Sequence, residues 1–354
     1  MPPSHTPVQE LRFTRVPSGA RIAWARTGRA GAPTLIRVAH WLTHVEHDLR
    51  SPLWGPWVER LSRSLRLVRY DERGCGLSTG DERELPTLDA WVEELQAVVD
   101  AHGEPRVALL GVSGAAPTAI AYAARHPERV SHLVLLGGYM NGALQRAPSE
   151  ADRAFLEAQW RLVETGWSRD DPAVREFFNS RFIPDATPDV RASMNEQQRL
   201  SCDGARAALL LRGRALLDVR ALAAQVRVPT LVLHGEGDRA CPIALGHEMA
   251  AAIPGARFES LASANHVPLG HEPAFERFCE AVVGFITGAS RPPALTPRER
   301  ALAALVAQGL DNAQIGAQLG VADKTVRNAL STLYAKLGVD SRARAVARSR
   351  DLGL

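Results

Sequence analysis

The chain has 354 residues, of which 45% are hydrophobic and 23% are charged, so it is expected to fold, and its length suits two domains. The first 20 residues lack a basic start followed by an apolar core, and no run approaches 18 apolar residues, so we predict a cytoplasmic protein without a membrane partner. The four cysteines form no C-x-x-C pair and are expected to be buried, reduced thiols: Cys75, Cys202, Cys241 and Cys279.

The net charge of +3 is unevenly distributed along the chain. From Ala294 onward there are nine basic and five acidic residues, whereas the rest of the chain holds 33 basic and 34 acidic residues. The whole positive excess therefore lies in the last part of the chain. A small basic module beside a nearly neutral body favours binding to phosphate groups.

Up to about residue 287, short apolar runs alternate with helical stretches such as 88–101 and 116–125. The predicted strands are residues 21–28, 34–40, 65–71, 107–112, 133–138, 229–235 and 257–261. From residue 34 onward these runs are largely apolar throughout, which is typical of strands covered on both faces. The pattern predicts an α/β fold with a mostly parallel sheet.

About 90 residues separate the strand near residue 138 from the strand near residue 228. They contain three predicted helical stretches, 149–166, 171–182 and 208–226, and an insertion of this size is typical of a lid (about 141–226) over a site. Its aromatic residues either face a small, largely apolar ligand or attach the lid to the core: Phe155, Trp160, Trp167, Phe177, Phe178 and Phe182. Both interpretations remain open.

A nucleophile motif lies in the segment LLGVSGAAPTAIAYAARHP (109–127), where Ser113 stands at a sharp turn between a strand and a helix. The pattern G-x-S-x-G needs small residues around the serine because the turn is crowded. Asp238 and His266 follow in that order, each just past a strand. A serine hydroxyl needs a base to take its proton, and the base needs a carboxylate to fix its tautomer. The alternatives are a helix-capping serine, a turn aspartate and a structural histidine.

Residues 20–287 resemble the α/β-hydrolase superfamily. The segment YDERGCGLS (70–78) is similar to the family stretch D-x-R-G-x-G-x-S, and VAH (38–40) stands where the family has its oxyanion loop. The resemblance implies an α/β-hydrolase fold with a helical lid. It also implies a catalytic triad of Ser113, Asp238 and His266. The backbone N–H groups of Leu42 and Gly114 would donate to the oxyanion.

Two residues depart from the family pattern. Trp41 replaces the glycine that follows the loop histidine, which puts the shape of the oxyanion hole in doubt. Ala115 replaces the last glycine of the nucleophile motif and could shift the turn slightly. Neither change removes a triad group.

A metal site is the alternative interpretation of the histidines near residue 44. His40, His44, His47 and Asp48 form the pattern H-x3-H-x2-H-D, which is not a tight zinc spacing, and no distant ligand cluster supports it. We therefore predict no metal and no cofactor.

The stretch TGASRPPA (287–294) interrupts the α/β pattern with glycine and turn-forming residues. We predict a hydrolase-like domain over 1–288, a linker over 289–293 that two prolines stiffen, and a helical domain over 294–354.

The sequence of the last domain predicts four helices. Thr296 is a suitable N-cap and Pro297 a suitable first helical residue. Further helices are predicted over 312–319, 323–338 and 341–350. Two helices joined by a short turn that contains glycine are typical of a helix-turn-helix, whose second helix enters the major groove. A small helical docking module is the alternative.

This segment resembles the LuxR/GerE-type helix-turn-helix. The matching residues are Leu295, Thr296, Arg298, Glu299, Gly309, Asn312, Ile315, Leu319, Thr325, Val326, Lys336, Leu337, Gly338, Ser341, Arg342 and Ala345. Ala329 stands where the family commonly has histidine, and Gly316 where it commonly has alanine. The resemblance implies double-stranded DNA as a partner, bound by a homodimer on two half-sites.

The DNA contacts are expected at the start of the third helix of this domain. Lys324, Thr325, Arg327 and Asn328 lie in its first turns, which enter the groove, whereas Lys336 lies near its far end and is expected to meet phosphate. The alternative for each charge is a solvated helix face.

These observations predict a transcriptional regulator with a hydrolase-like ligand-sensing domain. Three hypotheses remain open: a sensor whose triad is slow or vestigial, a serine hydrolase that degrades its own inducer, and an enzyme merely tethered to DNA. Ester, lactone, thioester, amide and C–C substrates all remain open, and a serine nucleophile disfavours epoxides.

Overall fold

The computed structural model describes residues 8–80, 83–147, 149–288, 295–337 and 339–351. The chain divides into two compact units, Met1–Ala289 and Ser290–Leu354. The predicted linker, 289–293, lies outside the described residues, so its extent stays a prediction. No helix in the described part of the chain is long and apolar enough to cross a membrane.

The first unit is built on an eight-stranded sheet with the strand order β1-β2-β4-β3-β5-β6-β7-β8. The strands are β1 (Glu10–Arg15), β2 (Arg21–Thr27), β3 (Thr34–Arg37), β4 (Arg66–Tyr70), β5 (Val107–Val112), β6 (Val130–Leu136), β7 (Thr230–Gly235) and β8 (Arg257–Leu261). β1 and β2 are antiparallel to their neighbours, and all other pairs are parallel. The predicted mostly parallel α/β sheet is confirmed.

Helices cover both faces of this sheet. They are α1 (Val45–Arg50), α2 (Gly55–Ser62), α3 (Leu88–His102), α4 (Ala116–Arg125), α11 (Ile243–Ala252) and α12 (Pro273–Thr287). One apolar core joins the sheet to α3, α4 and α11, and a second joins its other face to α2 and α12. Because both faces are covered, the central strands are largely apolar, and β5 (VALLGV) is apolar throughout.

The helical insertion lies between β6 and β7. It consists of α5 (Ala143–Arg146), α6 (Glu150–Gly166), α7 (Ala173–Phe182), α8 (Pro188–Ser201), α9 (Gly204–Leu216) and α10 (Arg220–Ala223). Its aromatic residues differ in burial, and the two roles left open by the sequence stay predictions. Trp167 and Phe178 are buried in an apolar cluster, whereas Phe155 is 58% exposed.

Two sequence expectations need correction. The strand predicted over 34–40 ends at Arg37. Val38 still donates its N–H to the Leu110 carbonyl of β5 at 2.9 Å, and the chain then leaves the sheet in the loop that carries His40. The four cysteines are free, as expected, but Cys202 is partly exposed and only the other three are buried.

The second unit contains α13 (Pro297–Ala307), α14 (Asn312–Leu319), α15 (Asp323–Leu337) and α16 (Arg342–Asp351). Thr296 and Glu299 form a capping box at the start of α13, and Asp311 and Gln314 form a second one at the start of α14. Gly320 ends α14 with a φ of 65°, a conformation that favours glycine. The helix–turn–helix arrangement of α14 and α15 follows from these signals.

Candidate active site

Ser113 stands at a sharp turn between β5 and α4. Its φ is 54°, and residues Ser113–Ala115 form a single 3-10 turn before α4 begins. The turn is crowded: a Cβ atom added at Gly111 would lie 3.0 Å from both Cα of Ala116 and Cβ of Ala119. Small residues are therefore required here, and alanine at position 115 is fully buried without interrupting the turn.

Asp238 and His266 are brought together from the loops that follow β7 and β8. His266 Nδ1 lies 2.6 Å from Asp238 Oδ2, and both residues are buried. The other carboxylate oxygen accepts the backbone N–H groups of Ala240 and Cys241 at 2.8 and 2.9 Å. The carboxylate is thus fixed by its own loop and in turn orients the imidazole.

The environment of Asp238 favours its ionised form. Burial by itself would raise the pKa of this carboxyl, but the charge of His266 and the hydrogen bonds from His234, His266 and the Cys241 backbone lower it well below its usual range. The carboxylate therefore stays ionised at neutral pH and can stabilise a charged imidazole.

The second ring nitrogen of His266 is free to take part in chemistry. His266 Nε2 is buried and has no hydrogen-bond partner among the described residues, and His266 lines the same cavity as Ser113. The ring lies against Gly137, where an added Cβ would lie 3.0 Å from its Cε1 atom, and its centroid is 5.5 Å from that of Phe182. Neither Gly137 nor Phe182 was identified from the sequence as a support for the histidine.

The expected oxyanion donors, Leu42 and Gly114, each line a cavity that Ser113 also lines. Leu42 has a φ of 65°, and neither its N–H nor that of Gly114 bonds to another described residue. His40 is buried and its ring is 5.0 Å from that of Trp54; burial, and then the charge of Arg37, lower its pKa to about 3, so it is neutral. Trp41, which replaces the family's glycine, packs against Trp167 and Phe178 of the insertion.

Two cavities meet at Ser113. The small cavity has a volume of about 60 Å³ and is lined mainly by apolar and amide side chains, among them Trp54, Met194 and Gln197. The larger one, which we call the arginine cavity, has a volume of about 270 Å³ and includes Arg146, Arg181 and Arg214. Ser113, Trp41 and Phe182 line both, and no carboxylate of the described residues lines either.

Arg214 is an active-site neighbour that the sequence did not indicate. This α9 residue is 4% exposed, and its Nη2 bonds to the fully buried Glu72 at 2.8 Å. Trp91 donates its indole N–H to the same carboxylate oxygen at 3.0 Å. Glu72 belongs to the segment 70–78 that carries the family resemblance, so this segment anchors the insertion beside Ser113.

The histidines near residue 44 do not converge on a metal site. Asp48 is fully buried, and its carboxylate pairs with Arg37 and Arg69. Arg69 Nη1 lies 2.7 Å from Asp48 Oδ2, so the carboxylate is already occupied. In the described part of the chain, no group of three or more metal-ligating side chains lies close enough together to hold a metal ion.

The second unit presents the expected DNA-contacting residues on its surface. Lys324, Thr325, Arg327 and Asn328 are all exposed at the start of α15. The guanidinium of Arg327 lies 2.5 Å from Asp323 one turn earlier, in a solvent-exposed pair that can open on binding.

Lys336 has a partner within its own unit. Its Nζ lies 2.7 Å from Glu299, the same carboxylate that caps α13. The hydrogen bond from Lys336, followed by that from the Thr296 backbone, lowers the pKa of Glu299. Lys336 can contact a DNA phosphate only after this pair breaks. A structural role for Lys336 therefore competes with the predicted phosphate contact.

Gly316 shows why this chain departs from the family's alanine. A Cβ atom added there would lie 2.8 Å from the carbonyl oxygen of Val321, closer than such contacts normally allow. Val321 N–H bonds to the Gly316 carbonyl at 3.0 Å, so the two backbones approach closely at the turn. Ala329 stays partly buried against the core of the unit.

The chain matches two known families, one in each of its two units. Residues 59–274 match the family described as serine aminopeptidase, S33, an α/β-hydrolase family, and residues 293–349 match the family described as bacterial regulatory proteins, luxR family.

Individual relatives are distant. The candidate carbamate hydrolase RutD of Caulobacter vibrioides is 26% identical over 263 residues, which cover 67% of this chain and 86% of the relative. The pimeloyl-[acyl-carrier protein] methyl ester esterase of Aromatoleum aromaticum is 28% identical over 249 residues, covering 68% and 94%. Among solved structures, the enol-lactonase of Burkholderia xenovorans superposes with a TM-score of 0.65 at 24% identity over 78% of this chain and all of the other, which supports the fold alone.

Proposed function

Because the chain belongs to the serine aminopeptidase S33 family of α/β-hydrolases and carries a LuxR-type DNA-binding domain, we propose a transcriptional regulator that senses an acyl compound. In this proposal Ser113, His266 and Asp238 form a working triad, and occupation of the site changes how the protein binds DNA. Hydrolysis of the ligand would then end the signal.

One observation carries the proposal of a working triad. Asp238 fixes Nδ1 of His266 at 2.6 Å, which leaves the unpartnered Nε2 in the cavity that Ser113 lines. This is the tautomer a general base needs, because Nε2 must accept the serine proton.

The proposed reaction is acyl transfer to serine followed by hydrolysis. Oγ of Ser113 attacks the carbonyl carbon while Nε2 of His266 takes its proton, and the N–H groups of Leu42 and Gly114 stabilise the negative oxygen. His266 then gives the proton to the leaving group, which departs and leaves an acyl-serine. Water, deprotonated by the same histidine, releases the acid and restores the serine.

The bond class follows from the nucleophile and agrees with the relatives. An ester, lactone, thioester or amide can form an acyl-serine, and a methyl ester esterase stands among the relatives. The DNA-binding unit would act as a homodimer on two half-sites, with the start of α15 in the major groove.

A fluorophosphonate tests the nucleophile directly. We expect pure full-length protein to gain one adduct mass, localised to Ser113 by peptide mapping. The Ser113→Ala and His266→Ala variants should show little or no labelling, and Ser180→Ala, which changes an exposed serine of the insertion, should label normally. A wild-type protein that stays unlabelled would reject the working triad.

A second experiment tests sensing. DNA fragments enriched by the full-length protein from a random pool serve as operators, and their affinity is compared for free and Ser113-labelled protein. Coupling between two sites typically changes affinity about 5- to 150-fold. Labelled protein with unchanged affinity would favour an enzyme that is merely tethered to DNA.

A further inference from the structure

The arginine cavity has an unusual charge for a site predicted to hold a largely apolar ligand. Three arginines line it: Arg146 at the end of α5, Arg181 in α7 and Arg214 in α9. No aspartate or glutamate of the described residues lines it. Because Ser113 lines the same cavity, this positive charge faces the proposed reacting centre.

Arg214 contributes unsatisfied donors from a buried position. Only its Nη2 is paired, with Glu72, whereas Nε and Nη1 are buried and have no hydrogen-bond partner among the described residues. Its guanidinium carbon lies 4.6 Å from the centre of the Trp91 ring, which fixes the plane of the group. A buried donor without a partner is costly, so these N–H groups are suited to a ligand.

The position of Arg214 relative to the nucleophile is set by Gly114. A Cβ atom added at Gly114 would lie 2.6 Å from Cδ and 2.9 Å from Nε of Arg214. The side chain of Arg214 therefore passes directly over the backbone of the proposed oxyanion donor. An anionic group held there would lie next to the scissile bond.

Arg146 and Arg181 are held in place without being neutralised. Arg146 donates to the carbonyl oxygen of Asn141, and its guanidinium carbon lies 5.0 Å from the ring centre of Tyr139. Arg181 donates to the carbonyl oxygen of Arg239 at 3.3 Å. Neither forms an ion pair with a carboxylate in the described part of the chain, so their charges remain available.

We propose that the arginine cavity binds an anionic oxygen group of the substrate, a carboxylate or a phosphate, while the small neutral cavity takes the uncharged part. The planar guanidinium fork matches both kinds of oxyanion through paired hydrogen bonds. The substrate class is therefore an acyl compound that carries a negative charge. This inference rests on the proposed hydrolase function, because it names the substrate of the same serine.

The first test compares charged and neutral substrates of nearly equal shape. The acyl side is probed with 4-nitrophenyl hydrogen glutarate against its methyl ester, and the leaving-group side with 3-acetoxybenzoate against methyl 3-acetoxybenzoate. We expect kcat/KM to favour the charged member about tenfold or more in one of the two pairs, since a hydrogen bond to a charged group is among the stronger kinds. No preference in either pair would overturn the proposal.

Variants connect that preference to the arginines. Arg146→Gln and Arg181→Gln should each reduce the preference for the charged ester, and the double variant should reduce it further. The preference is a ratio of two kcat/KM values within one variant, so it is read independently of the absolute rate. Arg153→Gln is the matched control, since this arginine is exposed in α6 and lines neither cavity at Ser113. Arg214→Lys keeps a cation beside Glu72 but removes the planar fork, so the preference should fall in this variant as well. A preference that is unchanged in all of these variants would place the anion elsewhere.

A binding measurement separates this inference from the triad. The full-length Ser113→Ala variant is titrated with glutarate, inorganic phosphate and the neutral dimethyl glutarate in a calorimeter. We expect one or both anions to bind and the neutral diester to bind about tenfold more weakly or not at all. The tighter of the two anions identifies the group. Anion binding without ester hydrolysis by the wild-type protein would support the anion site and reject the proposed hydrolase. Ester hydrolysis without anion binding would support the hydrolase and reject the anion site.

Discussion

The two units of this molecule place their functional groups in opposite environments. In the hydrolase unit Asp238 and His266 are 6% and 3% exposed, and each is fixed by several neighbours. In the DNA-binding unit the four residues expected at the start of α15 are exposed, and the ion pair of Arg327 lies in solvent, whereas Lys336 is partly buried and paired with Glu299. In the proposed function the first site acts on a small enclosed molecule, whereas the second binds the large exposed surface of DNA.

The difference determines what a substitution removes. A buried group is supported by others that lose their partner when it is changed, so effects in the first unit are large and non-additive. An exposed group mainly loses its own contact with the ligand, so effects in the second unit are smaller and closer to additive. The following predictions test this contrast, from the largest effect to the smallest.

Loss of a triad group is expected to give the largest effect. Ser113→Ala and His266→Ala should each lower kcat/KM for an activated ester about a thousandfold or more, and the double variant should be little worse than either alone. Steady-state hydrolysis of 4-nitrophenyl esters measures this. His247→Ala, which changes an exposed histidine of α11, is the control. Additive losses would mean that the two residues do not act as one unit.

Substitutions at the start of α15 are expected to have effects of intermediate size on DNA binding. Arg327→Ala and Asn328→Ala should weaken binding to the preferred sequence about 5- to 150-fold and alter the base preferred at one position each. Lys324→Ala is the informative comparison, because loss of a phosphate contact would weaken binding to all DNA sequences equally, whereas loss of a base contact would not. Selection from a random DNA pool followed by titration measures both quantities. Unaltered base preference in all three variants would move the recognition surface away from α15.

Lys336 is expected to give the smallest effect on DNA and a measurable effect on folding. Lys336→Ala and Glu299→Gln should both lower the melting temperature of the DNA-binding unit, because each removes one partner of the same pair. The pKa of Glu299 is lowered by this pairing, so the stabilisation is present above the unfolded carboxyl pKa of about 4.3 and is lost as the pH falls through the lower folded value.

The salt dependence of DNA affinity distinguishes the two roles of Lys336. A structural lysine leaves the slope unchanged, whereas a phosphate contact would lower it by about one on substitution. A reduced slope together with an unchanged melting temperature would restore the phosphate contact predicted from the sequence.

Strong local signals in the sequence predicted most of the fold. Seven of the eight strands and the four helices of the second unit coincide with apolar runs, caps and glycine stops. β1 was missed because its side chains are mostly exposed and charged, so no apolar run marks it. α8 was missed because its buried face is polar: Gln197 and Gln198 are buried through hydrogen bonds to Asp48 and Asn179 rather than through apolar contacts.

The site was predictable only where its residues sit at element ends. Ser113, Asp238 and His266 each follow a strand, and parallel strands bring such ends to one edge. Arg214 and Glu72 are 142 positions apart, and nothing in the order of residues indicates that they meet. The charge of the arginine cavity depends on which side chains the fold brings together, so it could not be predicted from the order of the residues.

The backbone at the nucleophile has a consequence for stability. Ser113 and Leu42 are the two non-glycine residues of the described chain with a positive φ, a conformation that costs an L-residue about 1–2 kcal/mol. Ser113→Gly should therefore melt at a higher temperature than Ser113→Ala, although both lack the nucleophile. At this turn, the geometry that presents the hydroxyl and the geometry that maximises thermal stability are in conflict, and a form of the protein selected only for robustness would be expected to lose its serine first.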